Sequence, residues 1–374
     1  MRYCALALLA VLATGCASTS TSSGSCPALQ AAAANPAPTH PEIVRAVCPQ
    51  AMDYPFRNLV IEGGGVKGIA YAGAFEVLEQ QGILEQVGPV AGTSAGAITA
   101  TLVALRYKPD QIRSLVFNIP FEKLKDGGST GLFRLFKRFG WFKGDYFLDL
   151  MRCLITNQTK KPVTTFKDLQ DMGFRDLHVF STDLSTGKSV ELSAAATPDV
   201  EVAFAVRMSM AIPLFFASVD FKDDVFVDGG VLRNYPIDAF DTREEVNPAT
   251  LGLHLNGKPS ARAEIKGFPG YARNLFETLL DVQVIDPETN PPDLQRSVLI
   301  DNLGISTTDF NLTQKQKTAL VAKGVECTCR YLKDWQSWHN QSSWPAERFP
   351  ALGRALRLRT EGLCGSAFGP GKPR

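Results

Sequence analysis

The sequence predicts an α/β protein whose central, mainly parallel sheet is covered by helices on both faces. Short β-branched or apolar runs alternate with longer helical stretches along the chain. A glycine-rich turn joins the first of these strands to the first helix, and a serine-bearing turn joins the second strand to the second helix. Strands connected through helices lie parallel in one sheet, and such sheets are buried on both faces.

The beginning of the chain predicts export. An apolar stretch over residues 4–13 is too short to span a bilayer as a helix, but it has the length of a signal-peptide core. It ends in small residues before Cys16, which is similar to the lipobox of bacterial lipoproteins. We expect residues 1–15 to be a signal peptide and Cys16 to be lipidated, with an anchor in the bacterial outer membrane or periplasm. The alternative is an ordinary secretory signal and a secreted soluble protein.

Residues 16–51 are expected to lie outside the folded core. They are rich in Ser, Thr, Ala and Pro without sustained periodicity, which is typical of a tether or of an arm that wraps the core. About 320 residues follow, which is enough for one large domain or two small ones. No second linker or repeat divides them, so we expect one domain over residues 52–340 and an extension over residues 341–374.

Charge and cysteine content restrict the partners. The net charge is +1 at pH 7, which argues against a nucleic-acid partner.

An oxidising compartment permits disulfides, but the sequence does not choose a pairing. The cysteines outside the leader and the lipidation site are Cys26, Cys48, Cys153, Cys327, Cys329 and Cys364. A metal at Cys327 and Cys329 is the weaker alternative, because no His or Cys pair at ligand spacing accompanies them.

The first element of the domain is a β-branched run over residues 58–62, followed by a glycine loop and a helical pattern over residues 69–80. In this context Gly63, Gly65 and Gly68 have the spacing of a dinucleotide-binding loop. That interpretation needs an acidic residue at the end of the second strand, where a serine turn stands instead. We therefore favour the alternative, in which N–H groups of the loop form an oxyanion hole for acyl transfer.

The second strand, residues 87–91, ends in a Gly-Thr-Ser-Ala-Gly turn, and an apolar helix is expected over residues 98–105. A strand, a glycine-flanked serine and a helix form a nucleophile elbow, which lifts the Ser94 hydroxyl clear of the sheet edge. Gly92 and Gly96 have no side chains, so none collides where the strand and helix approach each other. The helix N-terminus directs its N–H groups at the reacting centre. Ser94 is therefore the candidate nucleophile.

A carboxylate is the best candidate for the base. Further apolar runs predict strands at residues 177–180, 225–227 and 251–255. Asp228 follows the second of these runs and precedes Gly229 and Gly230, so its carboxylate is fixed at a strand end within reach of a neighbouring strand. An aspartate near its reference pKa of about 3.9 is a weak base, so the site must desolvate Asp228 or share the proton tightly.

The histidines are weaker candidates. The sequence contains His40, His178, His254 and His339. His40 lies in the arm, and His178 precedes any suitable acid in the usual order of a triad on an α/β sheet. His254 lies in an apolar strand and His339 in a polar loop, and neither has glycine or turn context.

Three blocks of the chain together resemble the signature of the patatin-like phospholipases, in their usual order. The blocks are Gly63-Gly64-Gly65-Val66-Lys67-Gly68, Gly92-Thr93-Ser94-Ala95-Gly96 and Asp228-Gly229-Gly230. Residues 207–213 and Asn234-x-Pro236 extend the resemblance. It implies a three-layer α/β/α sandwich, and hydrolysis of acyl esters in phospholipids or related lipids by a Ser–Asp dyad without histidine. The implied site consists of Ser94 as nucleophile, Asp228 as base, and Gly63, Gly64, Gly65 and Val66 as the oxyanion hole.

Aromatic and basic residues interleave over residues 131–143, which is typical of a segment at a membrane surface. The alternative is a cap over the core whose basic side chains remain solvated. We expect an acyl lipid substrate, contact with a membrane surface, and no metal or organic cofactor. Other functions that fit the same residues are a transacylase or thioesterase, and a catalytically vestigial lipid-binding envelope protein. The oligomeric state stays open.

Overall fold

The computed structural model of the chain describes residues 26–127, 130–257, 265–283 and 290–340. The predicted signal peptide, the lipidation site at Cys16 and the extension over residues 341–374 lie outside the described residues. Within the described ranges, no helix combines the length and the hydrophobicity needed to cross a bilayer.

Strands and helices alternate along much of the described chain. The strands are β1 (Asn58–Ile61), β2 (Val90–Thr93), β3 (Gly140–Phe142), β4 (Leu177–Asp183), β5 (Lys188–Leu192), β6 (Leu214–Phe216), β7 (Val219–Phe221), β8 (Asp224–Asp228), β9 (Thr250–Asn256) and β10 (Ser297–Asp301). The helices are α1 (Pro27–Ala34), α2 (Pro41–Val47), α3 (Tyr71–Gln80), α4 (Ile83–Gln86), α5 (Ala95–Ala104), α6 (Pro109–Phe117), α7 (Gly131–Arg138), α8 (Asp145–Thr159), α9 (Phe166–Asp171), α10 (Val202–Ser209), α11 (Gly267–Asp281), α12 (Pro291–Gln295) and α13 (Gln314–Asn340).

The main sheet has the strand order β10-β9-β1-β2-β4-β8-β7, and β5 also pairs with β4. The pairings from β10 to β4 are parallel, whereas β5, β7 and β8 join antiparallel. Every residue of β1 and β2 is buried, as expected for parallel strands covered on both faces. The predicted α/β fold with a central sheet and flanking helices is confirmed, and the antiparallel end of the sheet adds to it.

Different structures cover the two faces of the central strands. On one face α5 packs against β1 and β2 and is buried along its whole length, while α13 packs against α3. The alternate side chains, Val60, Ala91 and Phe180, form a second cluster with Ile237. The segment over residues 235–240, after β8, therefore covers part of the other face of these strands.

The N-terminal arm differs from the prediction of a tether. In its described part, α1 and α2 are bound to the domain by disulfides from Cys26 to Cys153 in α8 and from Cys48 to Cys329 in α13. Cys26 is buried. The described part of this segment is therefore an arm that wraps the core, which was one of the two predicted alternatives, and not a free tether. Cys327 is also disulfide-bonded, which excludes the alternative of a metal at Cys327 and Cys329.

Candidate active site

The serine elbow lies between β2 and α5. Ser94 has φ 52°, a left-handed conformation that is unusual for a residue other than glycine. A Cβ at Gly96 would lie 2.1 Å from the Ile61 carbonyl oxygen, and one at Gly92 would lie 2.5 Å from the Gly96 carbonyl. Only glycine fits at these two positions, because backbone atoms of a neighbouring segment already occupy the space that a side chain would need. The packing of α5 onto β1 thus fixes the turn that carries Ser94.

Strand β4 brings Asp228 to Ser94. Strand β2 pairs with the first half of β4 as far as Thr93 opposite Phe180. Strand β8 continues from the next residue, with Asp228 opposite Ser181. Both strands occupy the same edge of β4, because β5 pairs with the overlapping residues on the other edge. Ser94 and Asp228 consequently meet at the junction of β2 and β8, where Ser94 Oγ donates a hydrogen bond to Asp228 Oδ2 over 2.7 Å.

The environment of Asp228 changes its basicity. Its side chain has no exposed surface, and its second oxygen, Oδ1, accepts a 2.7 Å hydrogen bond from the Gly230 N–H. Burial raises the pKa of Asp228 to about 7, although the hydrogen bonds from Ser94 and Gly230 act in the opposite direction. A carboxyl with this pKa accepts a proton near neutral pH far better than an exposed aspartate does.

Ser209 orients the backbone of the elbow. The Ser94 N–H donates to Ser209 Oγ over 2.9 Å, and the Ser209 hydroxyl donates to the Phe180 carbonyl over 2.6 Å. The side chain of Ser209 is completely buried. No role was assigned to Ser209 from the sequence, although it lies in the run over residues 207–213 that belongs to the family resemblance.

Two of the four N–H groups that the sequence analysis assigned to an oxyanion hole already donate to backbone carbonyls. The Gly63 N–H donates to the Asn234 carbonyl over 3.0 Å, and the Val66 N–H donates to the Thr307 carbonyl over 3.1 Å. These two assignments to the oxyanion hole are therefore corrected, because both N–H groups already have acceptors. The N–H groups of Gly64 and Gly65 have no acceptor in the part of the chain that the structure describes.

Gly65 begins a 3₁₀ turn over residues 65–70. Its φ of +53° lies in the left-handed region, and a Cβ there would lie 2.1 Å from the Thr307 carbonyl oxygen. Glycine is therefore required both by the backbone conformation and by the close approach of the chain around Thr307. The first N–H groups of such a turn have no acceptor within the turn itself, which leaves them available to bind an anionic oxygen.

Two buried polar residues hold the loop in place. The Glu62 carboxylate accepts hydrogen bonds from Asn234 Nδ2 at 2.9 Å and from the Leu255 N–H at 2.6 Å. Asn234 Nδ2 also donates to the Gly63 carbonyl at 3.1 Å, so Asn234 binds both the N–H and the C=O of Gly63. The sequence had shown Asn234 only as a family match and Glu62 only as the end of a strand.

The other motif residues have structural contacts. Lys67 is buried, and its Nζ lies 3.9 Å from Glu277 Oε2 rather than at the Ser94 hydroxyl. A Cβ at Gly68 would lie 3.2 Å from the Ala95 Cβ, so the loop packs closely on the start of α5. A Cβ at Gly229 would lie 2.4 Å from the Phe180 carbonyl oxygen, which explains the glycine directly after Asp228.

No histidine side chain among the described residues forms a hydrogen bond with Ser94 or Asp228. His178 lies between the carboxylates of Asp176 and Glu191. His254 Nδ1 lies 2.8 Å from Glu62 Oε2, outside hydrogen-bonding geometry. The backbone of His339 belongs to α13, not to the predicted polar loop, and its side chain lies outside the description. Within the described ranges, no three His, Cys, Asp or Glu side chains are grouped as metal ligands.

A family model and several known proteins match this chain. The sequence model of the family described as "Patatin-like phospholipase" matches residues 59–241. The uncharacterized protein YqhO of Bacillus subtilis is 35% identical to this chain over 302 residues, which cover 74% of this chain and 98% of that protein. A protein named "Probable lipid hydrolase 463L", of Invertebrate iridescent virus 6, is 26% identical over 49% of this chain and 62% of its own length.

The fold also matches a solved structure. VipD from Legionella pneumophila superposes with a TM-score of 0.52 at 17% sequence identity. The superposition covers 75% of this chain and 67% of that one. At this identity the likeness concerns the fold.

Proposed function

We propose that, in this chain, which belongs to the patatin-like phospholipase family and is a lipid acyl hydrolase, Ser94 and Asp228 act as a catalytic dyad. The substrates of this dyad are acyl esters of phospholipids or related lipids. The observation that carries the proposal is the 2.7 Å hydrogen bond from Ser94 Oγ to a completely buried carboxylate. The name of the viral relative, a probable lipid hydrolase, agrees with this substrate class.

The first half of the reaction forms an acyl-enzyme. Asp228 takes the proton from Ser94 Oγ as the oxygen attacks the ester carbonyl carbon. The negative charge that develops on the carbonyl oxygen is stabilised by the N–H groups of Gly64 and Gly65, and each such donor is worth about 10²–10³ in turnover. The tetrahedral intermediate then expels the alcohol, which takes the proton from Asp228.

The second half releases the fatty acid. Asp228 removes a proton from a water molecule, whose oxygen attacks the acyl carbonyl, and the same N–H groups bind the oxyanion again. When the intermediate breaks down, the proton returns from Asp228 to Ser94 Oγ. The products are a free fatty acid and a lysophospholipid or the corresponding alcohol.

Product analysis tests this proposal. The purified protein is incubated with a mixed phospholipid extract, and the lipids are identified by mass spectrometry beside a folded Ser94→Ala control. We expect free fatty acids and lysophospholipids with the parent and neither with Ser94→Ala. Acyl chains found on a second lipid or thiol would instead identify a transacylase. An absence of turnover together with no labelling of Ser94 by a fluorophosphonate would identify a lipid-binding protein.

We also propose that the protein is exported and anchored by lipid at Cys16. Support comes from the disulfides at Cys26 and Cys48, since such bonds persist in oxidising compartments. Stable anchoring needs more than one acyl chain, because a single chain binds a membrane reversibly. The intact mass of the mature chain tests the proposal, which fails if Cys16 is unmodified or if the mature chain begins elsewhere.

A further inference from the structure

Helix α7 exposes apolar side chains instead of covering the core. Leu132, Phe133, Phe136 and Phe139, at its outer side and end, are between 58% and 78% exposed. Such exposure means that these side chains project from the surface, since residues lining a groove are more enclosed. Isolated exposed apolar residues are common, but a contiguous set usually marks an interaction site.

Hydrogen bonds fix the orientation of α7. Its Arg134 donates to the carbonyl oxygens of Gly127 and Trp141, so the inner side of the helix is bound to the domain. The remaining charged residues of the helix are Lys137 and Arg138, and it contains no acidic residue. Lys137 Nζ lies 4.7 Å from the centre of the Phe133 ring, and Arg138 pairs with Asp220. The outer side of α7 therefore combines aromatic rings with the positive charge of Lys137, whereas the charge of Arg138 is paired with that of Asp220.

Helix α11 adds a second exposed apolar stripe. Phe268, Tyr271 and Leu275 are 40–52% exposed and follow each other at the helical spacing i, i+3, i+7. The side of α11 next to this stripe is buried through Ala272 and Phe276. We call the exposed residues of α7 and α11 together the aromatic face, and it consists of Leu132, Phe133, Phe136, Phe139, Phe268, Tyr271 and Leu275.

A cavity of about 250 Å³ lies between the two parts of this face. Phe268 and Ala272 of α11 form one wall, and Trp141 and Phe142 of β3 form another. A Cβ at Gly131 would lie 2.5 Å from the Trp141 ring, so α7 packs against the outside of the second wall. The cavity therefore opens beside the aromatic face, and its lining combines five aromatic rings with the charged residues Lys125, Arg273 and Asp309.

The cavity is also close to the proposed dyad. Thr308 lines it and directly follows Thr307, whose carbonyl accepts the Val66 N–H of the glycine loop. Leu214 lines it three residues after Ala211, whose carbonyl accepts the Asp228 N–H, and three residues span at most about 11 Å. Thr308 Oγ1 is buried without a hydrogen-bond partner among the described residues, so an oxygen of a bound lipid would satisfy it.

We propose that the aromatic face docks on an anionic phospholipid bilayer and that the adjoining cavity receives an acyl chain of a lipid from that bilayer. The positive charge and absence of acidic residues on α7 fit an anionic surface, and projecting aromatic rings fit the interface between headgroups and acyl chains. The proposal rests on the proposed function, since it names how the substrate reaches the same site.

Fluorescence quenching tests the docking locally, whether or not a lipid anchor is present. Phe136→Trp and Tyr271→Trp are each introduced into the full chain carrying Ser94→Ala, so that no lipid is consumed. The vesicles contain phosphatidylcholine and phosphatidylglycerol with dibrominated acyl chains. The control is Met172→Trp, because Met172 is 46% exposed and follows α9, which lies near the far end of α5 from Ser94.

We expect the indoles at positions 136 and 271 to emit at shorter wavelength and to be quenched by brominated chains, and the indole at position 172 to change little. Quenching at the face that does not exceed quenching at position 172 would overturn the docking proposal. A blue shift at position 136 that depends on protein concentration without vesicles would also overturn it, in favour of a second copy. Since no turnover is needed, failure of the proposed function leaves this result unaffected.

The cavity is tested with soluble esters of different chain length. Ala272→Phe fills the cavity, so we expect kcat/KM for a palmitoyl ester to fall about tenfold while kcat/KM for a butyryl ester changes little, since each buried CH₂ contributes to binding. Met172→Ala serves as the control and should change neither. Equal losses on both esters in a folded Ala272→Phe protein would overturn the assignment of the cavity.

Discussion

At the scale of single residues, the proposed reaction depends on the protonation of Asp228. Burial raises its pKa to about 7, so the carboxylate form that can accept the Ser94 proton becomes the major form only above that pH. An exposed aspartate would be ionised throughout this range but would be a weak base. The site therefore gains basicity by removing water from the carboxyl group.

The first prediction concerns the pH dependence of hydrolysis. We expect kcat/KM for a soluble butyryl ester to rise about tenfold per pH unit below pH 7 and to level off above it, because only ionised Asp228 accepts the proton. The measurement is a pH–rate profile of the parent beside His254→Gln, which should show the same midpoint. A profile that is flat from pH 5 to pH 9 would contradict the assignment of Asp228.

The second prediction concerns stability. Folded Asp228 has a pKa of about 7 and an unfolded aspartate one of about 3.9, so the folded chain holds the proton more tightly. The free energy of unfolding therefore decreases as pH rises from about 4 to about 7. Asn has no charge to bury, so Asp228→Asn should be more stable than the parent at pH 8, by on the order of 4 kcal/mol. At pH 4 the difference should disappear.

Urea unfolding at both pH values checks this prediction. The parent and Asp228→Asn are compared under identical buffer conditions, and the Ser94→Ala variant controls for loss of the hydrogen bond between the two side chains. Equal unfolding midpoints at pH 8 would mean that the ionised carboxylate carries no cost in the folded protein.

The positions of the candidate residues were predictable where they depend on local sequence. Ser94 and Asp228 were identified because each follows a strand and is flanked by glycine. Which N–H groups of the glycine loop lack an acceptor was not predictable from the sequence. The N–H groups of Gly63 and Val66 donate to carbonyls of Asn234 and Thr307, which lie more than a hundred residues away along the chain. A local pattern contains no information about such distant partners.

At the scale of elements, the meeting of β2 and β8 on one edge of β4 creates the site. The predicted run over residues 225–227 gave β8 but not its direction, because an antiparallel pairing depends on the tight turn after β7. In that turn Lys222 and Asp223 both have positive φ; Asp223 is of a residue type that favours turns, but Lys222 is not, so the sequence does not specify a turn of this type. In the parallel half of the sheet, β1 and β2 were predictable from the glycine-containing turns that follow them, and β4 and β9 from their apolar runs, whereas β10 was not predicted.

The third prediction concerns the contact between α5 and β1. Gly96→Ala should destabilise the fold by at least about 3 kcal/mol, because its Cβ would lie 2.1 Å from the Ile61 carbonyl oxygen and backbone must move. Gly88→Ala is the matched control, since a Cβ there meets only the Arg57 carbonyl oxygen, at 3.8 Å. Thermal unfolding of both variants checks the prediction, and similar losses in both would contradict it.

At the scale of the whole molecule, covalent links hold the N-terminal arm on the domain. The bond from Cys26 to Cys153 closes a sequence separation of 127 residues, and that from Cys48 to Cys329 closes one of 281. Cross-links of this span restrict the unfolded chain strongly. The sequence showed the thiols but not the pairing, because pairing depends on where α8 and α13 lie in the fold.

The fourth prediction is that removing one of these links destabilises the protein. The double variant Cys26→Ala with Cys153→Ala should lose about 2–5 kcal/mol of unfolding free energy, because its unfolded chain becomes less restricted. Urea unfolding without reductant measures the change. An unfolding midpoint equal to that of the parent would show that contacts of α1, and not the disulfide, hold the arm.

The central claim is that Asp228, without a histidine, activates Ser94, and the rate at which a fluorophosphonate modifies Ser94 tests it most directly. The rate is measured at pH 8 for Asp228→Asn, His254→Gln and His339→Ala, with circular dichroism to show that each is folded. We expect Asp228→Asn to lose about 10²–10⁴-fold and both histidine variants to stay within a few-fold of the parent. A folded histidine variant as slow as Asp228→Asn, or an Asp228→Asn variant as fast as the parent, would contradict the dyad.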